Sequence, residues 1–143
     1  MDEKKELLRV EHLKKYFPTS RGMLLAVDDI SFRLNAGETL GVVGESGCGK
    51  STLGRAILRL HEPTDGKVIF EGEDILKYDK KKMKQKRSDM QIIFQDPYSS
   101  LNPRMTVSQA IAAPLLIQGI FHANEKDKIE KKVDEMMDLV GVA

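Results

Sequence analysis

The chain has little cysteine, no excess of charge of one sign and no hydrophobic run long enough to cross a membrane. Its single cysteine excludes an internal disulfide and favours a reducing, cytosolic setting. The 23 basic and 22 acidic residues give a formal charge of +1, so composition offers no case for a nucleic-acid partner. The apolar stretch 111–120 is interrupted by Pro114 and Gln118 and falls short of the roughly 20 residues that a membrane span needs. The first six residues also lack the apolar segment of a secretory signal.

What is present is the composition of a globular protein. Of the 143 residues, 41% are apolar and 31% are charged, which is enough for one domain with a hydrophobic core. The one biased segment is residues 77–87, which contains seven basic side chains. A contact with phosphates or anionic lipid is one interpretation of such a run, and a solvated helix or loop face is the other. The near-neutral charge of the whole chain favours the solvated face.

Residues 44–52 fit the phosphate-binding pattern G-x-x-x-x-G-K-[ST] at every fixed position. The glycines in this run allow backbone angles that a side chain would forbid, so successive N–H groups turn inward around phosphates. We expect the lysine ammonium to reach the β- and γ-phosphates and the next serine hydroxyl to bind Mg²⁺. The predicted members of this nucleoside-triphosphate site are Gly44, Glu45, Ser46, Gly47, Cys48, Gly49, Lys50, Ser51 and Thr52.

The surroundings of this loop also match a phosphate site. Residues 39–43 are apolar and predict a short buried strand, and residues 51–60 carry apolar side chains at helical spacing. The positive N-terminal end of that helix would point at the bound anion. A chance glycine-rich turn would not come with both a strand and a helix.

The segments before the loop predict antiparallel strands. Residues 7–13 alternate loosely between apolar and polar and predict a first strand, which we expect to break before Pro18 because proline has no N–H for a ladder. Residues 23–27 and 30–34 predict two further, separate strands.

Two aromatic residues, Tyr16 and Phe17, precede that proline. One interpretation is that one of them stacks on an adenine ring, which is worth about 1–3 kcal/mol by analogy with base stacking on aromatic side chains. The other interpretation is simple packing under a loop. Position alone does not decide between the two.

The segments after the loop continue the α/β pattern. Residues 62–66 predict a turn and residues 67–72 a strand. Residues 90–94 predict a buried strand that brings Gln95 to its carboxyl end, where ligands of open α/β sheets bind.

Two helices are predicted in the last part of the chain. The first covers residues 106–118, with Thr106 or Ser108 as its N-cap and Gly119 as its stop. The second begins near Asn124 and carries an apolar stripe.

Four other side chains carry ionisable or reactive groups, and we interpret them as structural. His12, His61 and His122 are interpreted as surface residues. Cys48 is interpreted as a small residue that fits the loop, and the minor hypothesis is that its alkylation blocks nucleotide entry.

Four separated stretches resemble the ATPases of ATP-binding cassette (ABC) transporters. The extension at residues 98–107 looks like the subgroup that serves oligopeptide, dipeptide or nickel import, especially its second, F-type ATPase subunit. This extension discriminates better than the phosphate loop alone. The four stretches are residues 13–17, 44–52, 62–66 with 71–72, and 93–97.

The resemblance implies an α/β fold of the P-loop NTPase class. That fold is an ABC ATPase nucleotide-binding domain with a RecA-like core and an antiparallel β subdomain, truncated before the signature motif. It implies a β subdomain at about residues 1–38 and 66–75, a phosphate-loop core at 39–65 and 88–105, and the start of a helical subdomain at 106–143.

The resemblance also implies roles for individual residues. Phe17 falls at the family's adenine-stacking aromatic, with Tyr16 as the neighbouring candidate. Gln95 matches the glutamine that reaches Mg²⁺ and the attacking water. Gln95 and Lys50 are therefore the expected catalytic residues, and Ser51 and Gln95 the expected metal ligands.

The implied ligands are ATP and Mg²⁺. The implied partners are a second ABC ATPase subunit, identical or related, and transmembrane permease subunits that dock near residues 95–105. The implied location is cytoplasmic, at the inner face of the cell membrane, with no nucleic-acid partner.

Several parts of the family's catalytic machinery are absent from the 143 residues. They are the Leu-Ser-Gly-Gly-Gln signature, the strand that ends in Asp-Glu and the switch histidine. We therefore expect the 143-residue chain not to hydrolyse ATP, although its full-length parent does. The rival interpretations are a non-transport ABC ATPase of DNA repair or translation, a nickel importer, a nucleotide-binding module without catalysis, and a small-molecule kinase.

Overall fold

In the computed structural model, which describes residues 5–142, the first of two units contains a four-stranded antiparallel sheet. The strands are β1 (Glu6–Thr19), β2 (Gly22–Asn35), β3 (Asp65–Phe70) and β4 (Glu73–Asp74). Their order in the sheet is β2-β1-β3-β4, and all pairs are antiparallel. The antiparallel arrangement predicted for the opening third is therefore confirmed.

Two details predicted for these strands are wrong. β1 continues through Pro18, which pairs with Met23 at the hairpin end. Because β3 pairs with β1 only between Leu8 and Lys14, β1 is paired on one side only at Pro18, and proline is tolerated in such an edge segment.

The two strands predicted at residues 23–27 and 30–34 are one continuous β2. The pairing of β1 with β2 is irregular near His12 and Asp29, which have positive φ angles of 49° and 54°. The two strands bend at these residues and then continue. The ring nitrogen Nδ1 of His12 lies 2.6 Å from the Asp29 carboxylate, and the His12 N–H donates to the Ser31 hydroxyl. These side-chain hydrogen bonds stabilise a bend in β2, where the sequence pattern predicted a break between two strands.

Helix α1 (Lys50–Ile57) follows the glycine-rich loop, as predicted. It buries Leu53 and Ala56, and β1 and β2 supply the fully buried Leu13 and the buried Val27. Arg59 lies in the segment that connects α1 to β3. Its guanidinium forms an ion pair with Glu62 and donates to the carbonyls of Ile75 and Tyr78 at 2.8 and 3.0 Å. Ile75 is the first residue of a short 3₁₀ turn, Ile75–Lys77, and Tyr78 follows that turn.

The buried strands predicted at residues 39–43 and 90–94 are not strands in the described part of the chain. Both stretches have no neighbouring strand to pair with, and a parallel strand exists only through such pairing. Some of their apolar side chains are therefore exposed to solvent: Val43 is 96% exposed and Ile93 is 97% exposed.

The lysine-rich segment forms α2 (Lys80–Lys86), which buries only Met83 and keeps most of its lysines in solvent. The second unit begins at Lys84 and contains α3 (Pro97–Ser100), α4 (Val107–Ile117) and α5 (Lys126–Leu139). The Thr106 hydroxyl caps α4, and the Gln109 side chain in turn accepts from the Thr106 N–H. Leu115 and Val133 are the buried side chains of α4 and α5. No helix in residues 5–142 has the length and apolar character to traverse a bilayer.

Candidate nucleotide site

The glycine-rich loop ends in a tight left-handed turn against β2. Gly47 and Gly49 have φ angles of +80° and +82°, and Gly49 is the N-cap of α1. A Cβ atom on Gly49 would lie 1.8 Å from the carbonyl oxygen of Ala26. Only glycine meets both the angle and the space, so the loop lies directly on the strand.

The Lys50 ammonium is folded into the loop that precedes it. It donates to the carbonyl oxygens of Gly44 at 2.8 Å and Glu45 at 3.0 Å. An ammonium has three N–H donors, so this geometry occupies two of them and leaves a third for an anion in the loop. No acidic residue lies in the first turn of α1, and the positive end of the helix is therefore not neutralised locally.

A β-bulge connects this loop to the aromatic pair on β1. Lys15 pairs with Val27 and Tyr16 with Leu25, so Ala26 is the extra residue of β2. The Ala26 carbonyl is the group that Gly49 touches. The bulge thus sets the loop beside the part of β1 that carries both aromatic side chains.

Tyr16 and Phe17 point to opposite faces, because successive strand side chains alternate. The Phe17 ring lies perpendicular to the ring of His61, with centroids 5.6 Å apart, and His61 belongs to the return that follows α1. The Lys15 ammonium lies 4.8 Å from the centroid of the Phe17 ring. Phe17 is therefore on the same face as the helix that begins with Lys50.

The Tyr16 side chain forms a hydrogen bond with a residue of β2. Its hydroxyl donates to the Asp28 carboxylate, and this hydrogen bond raises the pKa of Tyr16 to about 12. The adenine-stacking role of either aromatic residue stays a prediction.

Gln95 lies in the second unit and is exposed, directly before α3. Its neighbour Asp96 caps α3 by accepting from the N–H groups of Tyr98 and Ser99 at 3.0 and 3.3 Å. The hydrogen bonds from Ser99, through its side chain and its backbone, hold the pKa of Asp96 below its usual value. Gln95 thus sits at the start of an ordered turn, and its catalytic and metal-binding role stays a prediction.

A model of the ABC transporter family matches residues 27–143. The chain belongs to this family. The resemblance that the sequence motifs indicated is thereby confirmed.

Curated relatives include peptide transport subunits. The oligopeptide transport ATP-binding protein OppF of Bacillus subtilis (strain 168) is 51% identical over 138 residues, which cover 96% of this chain and 45% of that protein. The dipeptide transport ATP-binding protein DppF of Escherichia coli (strain K12) is 44% identical over 142 residues, with 95% and 42% covered. The chain spans less than half the length of these relatives.

Solved structures of ABC cassettes share the fold. CbiO1 from Clostridium perfringens, part of the ABC transporter complex cbiONQ, matches with a TM-score of 0.70 and 28% identity over 96% of this chain and 51% of its own. The ATP-binding cassette MJ0796 bound to ADP and Pi has a TM-score of 0.75 over 92% of this chain and 56% of its own; at 22% identity it supports the fold alone. The predicted fold class, an α/β ABC ATPase nucleotide-binding domain, is confirmed.

The oxygen donors of this ABC family chain fit a magnesium ion that arrives with a nucleotide. Within residues 5–142, no group of three or more His, Cys, Asp and Glu side chains is arranged to hold a metal. Mg²⁺ commonly takes only one or two protein oxygens and completes its shell with phosphates and waters. The exposed Ser51 hydroxyl, at the second position of α1, suits that mode.

Sequence reasoning missed Lys15, Ala26 and His61 as neighbours of the candidate site. Each reaches the site through a tertiary contact between segments that are far apart in the chain, and no local pattern marks such a contact. The ring contact of His61 shows that it is more than a solvated side chain, whereas His12 and His122 are exposed, as predicted. Cys48 is exposed and carries its thiol beside Gly44, where a Cβ atom would meet the sulfur at 2.6 Å.

Proposed function

We propose that this chain is the ATP-binding part of an ABC transporter ATPase subunit, a translocase component that powers the import of oligopeptides or dipeptides. The observation that carries the proposal is the loop of residues 44–52, which closes on the Lys50 ammonium in a chain that belongs to the ABC transporter family. The names of the relatives, at 51% and 44% identity, support peptides as the cargo.

Residues of the loop bind and position the triphosphate. The backbone N–H groups of residues 44–49 surround the phosphates, and the third N–H of the Lys50 ammonium donates to a phosphate oxygen. The N–H groups of Ser51 and Thr52 in the first turn of α1 have no helical partner and point at the same anion. Phosphoryl transfer is mostly positioning and charge stabilisation, and these residues supply both on one side of the nucleotide.

Ser51 and Gln95 are the proposed protein ligands of Mg²⁺. The ion would supply positive charge that offsets the charge of the phosphates. The Ser51 hydroxyl would hold it at the N-terminal end of α1, and Gln95 would orient the attacking water.

The adenine end of the site is Phe17, with Tyr16 held away from it by Asp28. This assignment rests on the face of β1 that each ring occupies. Because a base stacks favourably on an aromatic ring, we expect Phe17→Ala to lower the affinity for ATP more than the affinity for inorganic tripolyphosphate.

The proposed assembly places the subunit at the inner face of the cell membrane, with a second ABC ATPase subunit and permease subunits that dock near residues 95–105. The signature motif and the Asp-Glu strand end are not among the 143 residues, so we propose that this chain binds MgATP without turning it over. Hydrolysis then belongs to the complete, paired subunits.

Uptake of labelled substrate into membrane vesicles that contain the intact assembly tests the cargo. We expect ATP-dependent uptake of an oligopeptide, its loss with Lys50→Ala, and normal uptake with the control Lys81→Ala on the exposed face of α2. Uptake of Ni²⁺ without any uptake of peptide would contradict the peptide proposal and favour the nickel alternative.

A further inference from the structure

Lys15 connects three parts of the first unit at the proposed base-binding end. Its ammonium donates to the carbonyl oxygen of Glu62 at 2.8 Å and lies 4.8 Å from the centroid of the Phe17 ring. The Phe17 ring in turn stands at 89° to the ring of His61. One side chain therefore ties β1 to the segment that follows α1.

This geometry restricts the Phe17 ring in two ways. The Glu62 carbonyl fixes where the Lys15 charge lies, and a cation over an aromatic face is attracted by the ring's quadrupole. The perpendicular contact with His61 has the orientation that aromatic pairs prefer. A ring held in this way loses less conformational freedom when a base stacks on it than a freely rotating ring would.

We propose that Lys15 is a positioning residue for base recognition: its ammonium, fixed by the Glu62 carbonyl, lies over the Phe17 ring and restricts it, which raises the affinity for the purine of ATP without a contact to the phosphates. The inference rests on the proposed nucleotide site and adds a residue to it. Lys15 acts through the ring, so its effect belongs to ligands that have a base.

The test measures equilibrium binding of two ligands by the purified protein, MgATP and magnesium tripolyphosphate, the second of which lacks the base and the ribose. Lys15→Met keeps the length of the side chain and removes the charge. We expect a loss of about two- to fivefold in MgATP affinity, the size of an exposed cation–π contact, and unchanged tripolyphosphate affinity. Lys15→Arg should retain the MgATP affinity, because a guanidinium makes both contacts.

Lys14→Met is the matched control, because it removes the same charge one residue away. Lys14 contributes its backbone carbonyl to the Thr64 N–H, a bond that this substitution leaves in place. We expect both affinities to stay at the level of the unaltered protein.

A second readout uses the absence of tryptophan from the chain. Phe17→Trp introduces a single tryptophan, which can be excited selectively over the three tyrosines, and adding Lys15→Met should lower its anisotropy in the nucleotide-free protein. A clamp predicts this gain in ring motion, whereas a general role of Lys15 in folding would instead change the unfolding midpoint.

Each outcome separates this inference from the proposed function. Equal losses for both ligands, or no loss for either, would overturn the role of Lys15. If Phe17→Ala left MgATP affinity unchanged while Lys50→Ala abolished binding, the base site itself would be misassigned and the phosphate site would stand. If Lys50→Ala had no effect, the proposed function would fail first.

Discussion

At the scale of single residues, the close contact between Gly49 and Ala26 decides where the phosphate loop lies. Gly49 has a left-handed φ of +82°, and a Cβ atom added at the same position would lie 1.8 Å from the Ala26 carbonyl oxygen. The pattern G-x-x-x-x-G-K-[ST] predicted a glycine there for phosphate access. The structure adds that the same glycine docks the loop on the β2 bulge, which no spacing rule indicates.

Gly49→Ala should therefore lower the free energy of unfolding and weaken MgATP binding together. The left-handed angle alone costs a side chain about 1–2 kcal/mol, and the clash with Ala26 adds to it. Gly41→Ala is the matched control, because a Cβ atom there meets nothing within 4 Å. Urea unfolding and nucleotide titration of both variants check this, and an unaltered Gly49→Ala protein would contradict the docking.

The Tyr16 hydroxyl gives a pH-dependent prediction at the same scale. The hydrogen bond to Asp28 raises the Tyr16 pKa to about 12, so the folded state binds this proton more tightly than the unfolded state does. Its contribution to stability is fully present below the ordinary tyrosine value near 10 and is lost as the pH rises through about 12.

NMR titration of the Tyr16 ring carbon bonded to the hydroxyl measures this pKa directly. Asp28→Asn should bring it down towards the ordinary value, because the charged acceptor is removed. A Tyr16 that titrates near pH 10 in the unaltered protein would show that the hydroxyl is not held by Asp28.

At the scale of secondary-structure elements, local signals predicted helices better than strands. The N-cap of α4 and the position of α1 follow from residues within one turn, and both agree with the structure. The long β1–β2 hairpin could not be predicted, because irregular pairing at His12, Asp29 and Ala26 interrupts the alternation. Residues 39–43 carry the composition of a strand but have no partner in the described chain, and composition alone does not supply one.

Thr106→Ala should lower the stability of α4 by about 1 kcal/mol. Its hydroxyl accepts from the Gln109 N–H, and the Gln109 side chain accepts from the Thr106 N–H, so one substitution breaks a reciprocal cap. Ser108→Ala, at the other candidate cap position, is the control and should change the stability by less than half as much. Helix melting followed by circular dichroism separates the two, and equal effects would contradict the assigned cap.

At the scale of the whole molecule, the exposed apolar segments predict association. Val43 and Ile93 are 96% and 97% exposed, and exposed apolar segments favour association with other chains. We expect the melting temperature of the 143-residue chain to depend on protein concentration and sedimentation to show species above 16.1 kDa.

Ile93→Lys should reduce this association, because a charge in an exposed apolar segment opposes its burial against another chain. Lys81→Ala, on α2, should not. A sharp melt of a 16.1 kDa monomer that is independent of concentration would contradict the expectation.

Across the whole molecule, structure could be predicted from sequence where one short stretch contains all the residues that a known binding mode needs. The phosphate loop and its helix meet that condition. Gln95 does not: its motif predicts a role, but the role depends on distances between segments that sequence spacing leaves open. The division into a β subdomain, a phosphate-loop core and the start of a helical subdomain likewise stays a proposal.

The central claim is that Lys50 and its loop bind the phosphates of MgATP, and calorimetric titration of the purified chain tests it most directly. We expect saturable binding of one MgATP per chain, a loss of at least about tenfold with Lys50→Ala, as for a charge-assisted phosphate contact, and an unchanged affinity with Lys81→Ala. A folded chain that binds no MgATP, or a Lys50→Ala variant that binds it as tightly as the unaltered protein, would contradict the account.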